Sequence, residues 1–164
     1  MTVHTGRDYS NARRIATMAT VSVCSDGGMS IQEINLRPDD GNGGEIVFAD
    51  WGFSTAESIH EQALALMAGI VVERETLPLG QDSPRILDEQ ERVLQLVTEY
   101  VDAAHGPLSS PEERDDLIDE EMLYCILQAH DAVELHSPEI RIVTRELLKR
   151  SRLAQVHLVT LVRG

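Results

Sequence analysis

Helical periodicity runs through most of this chain, but residues 30–49 show the pattern of two β-strands joined by a turn. Residues 30–37 alternate apolar and polar side chains, residues 45–49 are a second, mostly apolar strand-like segment, and residues 38–44 between them are rich in Asp, Asn and Gly. Two strand-like segments joined by such a turn predict a β-hairpin. The pattern therefore predicts an α+β fold that is mostly α-helical and contains a small hairpin sheet.

The helical segments are expected on both sides of this hairpin. One is N-terminal, at residues 10–23, and a bundle of four or so helices follows at about residues 54–75, 86–104, 111–136 and 138–151. Residues 156–162 alternate Val, Leu and Thr with apolar side chains on both faces, which is typical of a covered strand. No repeat or low-complexity segment divides the sequence, so residues 1–164 are interpreted as a single domain.

The N-terminal helix is rich in small side chains. These are Ala12, Ala16, Thr17, Ala19 and Thr20. Such a surface lets neighbouring backbones come close, as they do around a buried site. Residues 10–23 nevertheless include no His, Asp, Glu or Cys that could perform catalysis.

Composition and charge restrict the class of partner. The chain has 164 residues, 42% of them hydrophobic, with no apolar run long enough for a membrane span and no signal-peptide pattern at the N-terminus. We therefore expect a cytoplasmic protein without membrane contact. The formal net charge of −14 argues against nucleic acid, which binds clustered cations. A protein partner or self-association is expected instead, with a homodimer formed through residues 156–162, or with this tail added to the hairpin sheet.

The cysteines and histidines offer few sites for chemistry. Cys24 and Cys125 lie far apart without a Cys-x-x-Cys motif, so each is predicted to be a buried, reduced side chain. His130, Glu134 and His136 form the densest group of metal-ligand residue types. This group is a weak alternative for a zinc site, because His136 falls at a helix end and on another face.

Several short stretches, taken in order, carry a family resemblance. They are residues 12–19, 34–38, 41–44, 64–74, 96–100, 133–136 and 146–153. Their order resembles the zinc peptidase domain of FtsH-type ATP-dependent proteases and the small bacterial proteins related to it. In that family a helix with Ala-x-His-Glu-Ala-Gly-His-Ala precedes a strand and a Gly-rich turn, and a later helix ends near Thr-Glu-Tyr.

The resemblance implies that the catalytic motif has been lost. Arg14 and Met18 occupy the positions of the two zinc-ligating histidines, and Ile15 that of the catalytic Glu. Arg stays protonated and cannot ligate zinc, and Ile cannot accept a proton. The acidic third ligand of the family falls near Asp82 or Asp88. We expect Arg14 to form a salt bridge with one of these two carboxylates in place of the metal.

The sequence therefore indicates a catalytically inactive homologue of a zinc metallopeptidase domain, without a cofactor, that acts as a binding or interaction module. Two alternatives stay open at this point. One is an active metal-dependent hydrolase with a relocated site, and the other is an unrelated structural or assembly protein. The family architecture also includes a membrane anchor and an ATPase module, neither of which is expected in this chain.

Overall fold

The structure, a computed structural model, describes residues 6–26, 31–36, 44–48, 55–78, 80–108 and 110–164. The described part contains helices and three short strands, and the predicted α+β, mostly helical class is confirmed. In chain order the elements are α1 (Gly6–Asp26), β1 (Ile31–Asn35), β2 (Glu45–Phe48), α2 (Ala56–Arg74), α3 (Pro84–His105), α4 (Pro111–Leu135), α5 (Ser137–Arg150), β3 (Arg152–Ala154) and α6 (Gln155–Arg163).

Helix α1 is the central element of the fold. Nearly every residue from Asn11 to Val23 is buried, because α2, α5, α6 and the sheet surround it. Its small side chains explain how so many neighbours fit around one helix, since they let other backbones approach closely. The helix begins at Gly6, four residues before the predicted start at Ser10, and Asp8 lies in its first turn, where a negative charge is favourable.

The hairpin is completed by a third strand from the end of the chain. Strand β1 lies between β2 and β3 and is antiparallel to both, so Ile34 faces Ile46 on one side and Leu153 on the other. Ser151 adopts the left-handed conformation (φ 62°) that ends α5, and its carbonyl accepts a hydrogen bond from the Leu36 amide at 2.8 Å. The predicted hairpin turn at residues 38–44 lies outside the described residues except for Gly44.

The apolar core consists of two clusters that meet at α1 and α2. One is formed by α2, α3 and α4 with Val21 of α1. The other is formed by α1, the sheet, α5 and α6 with Ala65 of α2. Polar caps begin the helices of the first cluster: the side chains of Thr55, Ser83 and Ser110 accept hydrogen bonds from amides in the first turns of α2, α3 and α4.

The predicted strand at residues 156–162 is wrong. These residues form most of α6, and the strand that joins the sheet is β3, directly before them. In a helix, Leu158, Leu161 and Val162 share a face toward α1 and α5, whereas Val156 and His157 are exposed. Packing of that face outweighs the β propensity of the Val and Thr side chains. Within the described residues, no helix has both the length and the apolarity needed to cross a bilayer.

Candidate functional site

A cavity of about 290 Å³ opens beside α1, where α2, α3 and the start of β2 meet. Its lining includes apolar Met18, Ile46 and Leu66 and the charged side chains of Arg14, Arg85 and Glu89. These residues come from four elements and are far apart in the sequence. The cavity therefore exists only in the folded chain, and it borders the face of α1 that carries Arg14 and Met18.

A buried ion pair forms one wall of this cavity. Arg14 Nη1 donates a hydrogen bond to Glu89 Oε1 at 3.0 Å, and the side chains of Arg14 and Glu89 are 4% and 17% exposed. The pair joins α1 to α3 across 75 positions of the sequence. Charged side chains are rarely buried this far unless they are paired, because removing a charge from water is costly.

A second ion pair lies next to the first. Arg85 Nη2 donates to Glu73 Oε1 at 2.5 Å, and it lies 3.4 Å from Oδ1 of Asn11 on α1. Glu73 is one of the buried residues of α2, with 5% of its surface exposed. The two arginines and two glutamates together carry no formal net charge, and they connect α1, α2 and α3.

Burial controls the ionisation of this charge cluster. Burial raises the pKa of Glu89, and the positive charge of Arg14 opposes that shift without cancelling it. Burial also lowers the pKa of Arg14, again against the attraction of Glu89. Within the described residues, Oε2 of Glu73 and Oε2 of Glu89 are buried without a hydrogen-bond partner. The cluster thus carries a large dehydration cost that the ion pairs offset only in part.

A glycine on α2 brings that helix close to the Arg14 and Met18 face of α1. A Cβ built on Gly69 would lie 2.7 Å from Cγ and 2.9 Å from Sδ of Met18. These distances are shorter than any ordinary contact, so a side chain at this position would require Met18 to move. The close approach of the two helices places Met18 in the wall of the cavity.

Ile15, which the sequence resemblance predicted at the position of a lost catalytic Glu, belongs to the core. Its side chain has no exposed surface, and a Cβ on Gly44 would overlap its Cδ1. Gly44 can approach so closely because it has no side chain, and its φ of 118° also favours glycine. Ile15 therefore packs against the start of β2 and performs no acid–base chemistry.

The predicted partners of Arg14 are wrong, although the kind of contact is as expected. Asp82 accepts two hydrogen bonds from Arg74, at 3.0 and 3.1 Å, and this contact lowers the pKa of Asp82. Asp88 is exposed on α3. The carboxylate that reaches Arg14 is Glu89, which shares the inner face of α3 with Ile86 and Val93. This i, i+3 and i+7 spacing was the sequence signal that separates Glu89 from Asp88.

The side chains at the predicted metal positions do not fit zinc. Arg14 cannot act as a ligand, and the Met18 thioether is a soft donor suited to other metals. His130 and Glu134 are exposed on α4, whereas His136 lies at the junction of α4 and α5, with Nδ1 3.5 Å from Sγ of Cys24. Among the described residues, no three His, Cys, Asp or Glu side chains converge in a way that could hold a metal ion.

The prediction of two buried cysteines is half wrong. Cys125 has no exposed surface, and burial raises its pKa to about 12. Cys24 is exposed, although partial burial and the nearby Glu139 still raise its pKa. The last turn of α1 extends beyond the core, which explains why the small apolar residue at this position faces solvent.

No protein-family model matches this chain, and a search of curated proteins finds no match. The cavity and its charge cluster are therefore the basis for assigning a function. Among the described residues that line the cavity there is no nucleophile–base pair, and they present an apolar wall beside two arginines, which suits binding.

Proposed function

We propose that this chain is a catalytically inactive relative of the FtsH-type zinc peptidase domain and acts in the cytoplasm as a protein-binding module. In this proposal the cavity beside α1 is the remnant of the peptidase cleft. Met18, Ile46 and Leu66 supply an apolar wall for a side chain of the bound protein. The cavity is near the lower end of the range for ligand pockets, about 300–1,000 Å³, which suits a shallow protein contact.

The observation that carries the proposal is the Arg14–Glu89 ion pair. Arg14 occupies the position of the first family histidine, and its partner is a carboxylate on α3, near the place where the family supplies its acidic ligand. In this proposal a cation in the cavity wall has replaced the metal, and a carboxylate remains beside it. Glu89 takes the role that the sequence assigned to Asp82 or Asp88.

Restoring the two histidines tests this ancestry. Arg14 and Met18 are separated by one helical turn and both line the cavity, so their replacements would face the same space. The double variant Arg14→His with Met18→His is expected to bind one zinc ion through both imidazoles and Glu89. Competition with a chromophoric zinc chelator measures the affinity, and circular dichroism checks that the variant is folded.

The control distinguishes a three-ligand site from a simple histidine pair. Adding Glu89→Gln to the double variant should weaken zinc binding at least about tenfold, because the amide is a poorer ligand than the carboxylate. Equal affinity in the two variants would contradict the proposed register. Chelator-sensitive cleavage of casein by the wild-type chain would contradict the inactive state and favour a relocated hydrolytic site.

A further inference from the structure

Helix α4 presents an ordered stripe of exposed residues on one face. Its members follow the helical spacing i, i+4, i+7, i+11, i+15 and i+18, and all are exposed: Asp116, Glu120, Leu123, Leu127, Asp131 and Glu134. We call this set the α4 stripe. Leu123 and Leu127 are 59% and 55% exposed, and Tyr124, 53% exposed, lies beside them. The stripe thus has an apolar centre with two carboxylates at each end.

The carboxylates of the α4 stripe are available for a partner. None of the four forms an ion pair within the described part of the chain. The single arginine of α4, Arg114, is directed to Asp102 of α3 through hydrogen bonds of 2.8 and 3.0 Å. The helix therefore exposes negative charge and apolar surface together.

We propose that the α4 stripe is a docking surface for an amphipathic helix of a basic partner protein. Two apolar side chains of that helix would cover Leu123 and Leu127. Lys or Arg side chains at its two ends would pair with Asp116 and Glu120, and with Asp131 and Glu134. One such contact would neutralise the carboxylates of the α4 stripe and would also remove its leucines from water. The stripe shares no residue with the cavity, so this inference does not depend on the function proposed above.

Charge favours a different protein over a second copy of this chain. Each copy carries a formal net charge of −14, so two copies repel one another. The exposed cations of α5 are also partly engaged, because Lys149 and Arg150 both pair with Glu146. A basic partner meets neither obstacle.

A labelled synthetic peptide provides the test with the full chain. The peptide is an Ala-based helix with two Leu residues at i, i+4 in its centre and two Lys residues on the same face at each end. Fluorescence anisotropy should detect saturable binding that weakens as salt concentration rises. The double variant Leu123→Gln with Leu127→Gln should raise Kd at least about tenfold, which corresponds to about 1.4 kcal/mol.

Matched controls make each outcome decisive. The double variant Leu87→Gln with Leu94→Gln removes two leucines of α3 that are 55% and 46% exposed, and it should leave Kd unchanged. A peptide with Gln in place of both Leu residues should bind at least about tenfold more weakly. Absence of binding, an equal loss in both protein variants, or equal binding of the two peptides would overturn the proposal. So would a dimer of the chain alone that sedimentation shows to dissociate on Leu123→Gln with Leu127→Gln.

Discussion

At the scale of single residues, the Arg14–Glu89 pair decides the character of the site. The pair is buried enough for dehydration to oppose the charge of both members, as the raised pKa of Glu89 and the lowered pKa of Arg14 indicate. Buried ion pairs contribute little net stability compared with apolar side chains of the same volume, but removing one partner leaves the other charge uncompensated. Replacing Arg14 or Glu89 alone should therefore destabilise the protein more than replacing both.

Glu89→Leu is expected to lower the free energy of unfolding by about 3–5 kcal/mol, because it removes the carboxylate that offsets the buried charge of Arg14. Arg14→Met in the same molecule should recover most of that loss, since neither charge then remains. Urea denaturation of the wild type, both single variants and the double variant measures the coupling. Additive effects would show that the two charges do not depend on one another. Asp102→Ala, which breaks the exposed pair with Arg114, is the control and should cost little.

At the scale of elements, the contact of α1 with α2 places the cavity wall. The two helices approach closely because Gly69 faces Met18 without a side chain between them. Glycine within a helix lowers helix stability by about 1 kcal/mol relative to alanine. Gly69 therefore weakens α2 but allows α1 to pack closely against it. The effect of adding a methyl group at Gly69 should therefore depend on the side chain at position 18 of α1.

Gly69→Ala is expected to destabilise the wild type by about 1–3 kcal/mol, because the new Cβ would overlap Cγ and Sδ of Met18. In a Met18→Ala background the same change should instead stabilise the protein by about 1 kcal/mol, through helix propensity alone. Thermal unfolding of the four proteins measures both effects. A loss of the same size in both backgrounds would mean that Met18 is not the limiting contact.

At the scale of the whole molecule, the two core clusters share α1 and α2 and are expected to unfold together. The reactivity of the two cysteines can test this cooperative unfolding, because Cys125 lies inside the α2–α3–α4 cluster and Cys24 is exposed at the end of α1. Cys125 is protected by burial and by a pKa of about 12, so it reacts only when the cluster opens.

In the folded protein, exposed Cys24 is expected to react with a disulfide reagent, more slowly than a free thiol because its pKa is raised, and Cys125 is expected to react only upon unfolding. The Cys24→Ser variant removes the early phase and isolates Cys125. Its labelling should then follow the same urea dependence as the loss of helical circular dichroism. If Cys125 reacts well before that transition, α4 opens separately from the rest of the molecule.

Local sequence signals predicted the mostly helical class, the paired strands of the hairpin and the start of α4 at Pro111, whereas α2 and α3 begin at Ala56 and Pro84, each two residues from the predicted start. The predictions depended on side-chain period and turn residues, and the structure adds the capping residues Thr55, Ser83 and Ser110. The inward position of Glu89 was also present in its spacing from Ile86 and Val93, although the identity of its partner was not.

The remaining features depend on contacts between distant parts of the chain. Residues 156–162 have a strand-like composition, but the surface offered by α1 and α5 makes them helical. Arg14 and Glu89 are separated by 75 positions, and Cys24 is exposed because α1 extends past its neighbours. Such outcomes depend on how whole helices pack, because burial and ion pairing are properties of surfaces that distant parts of the chain create together.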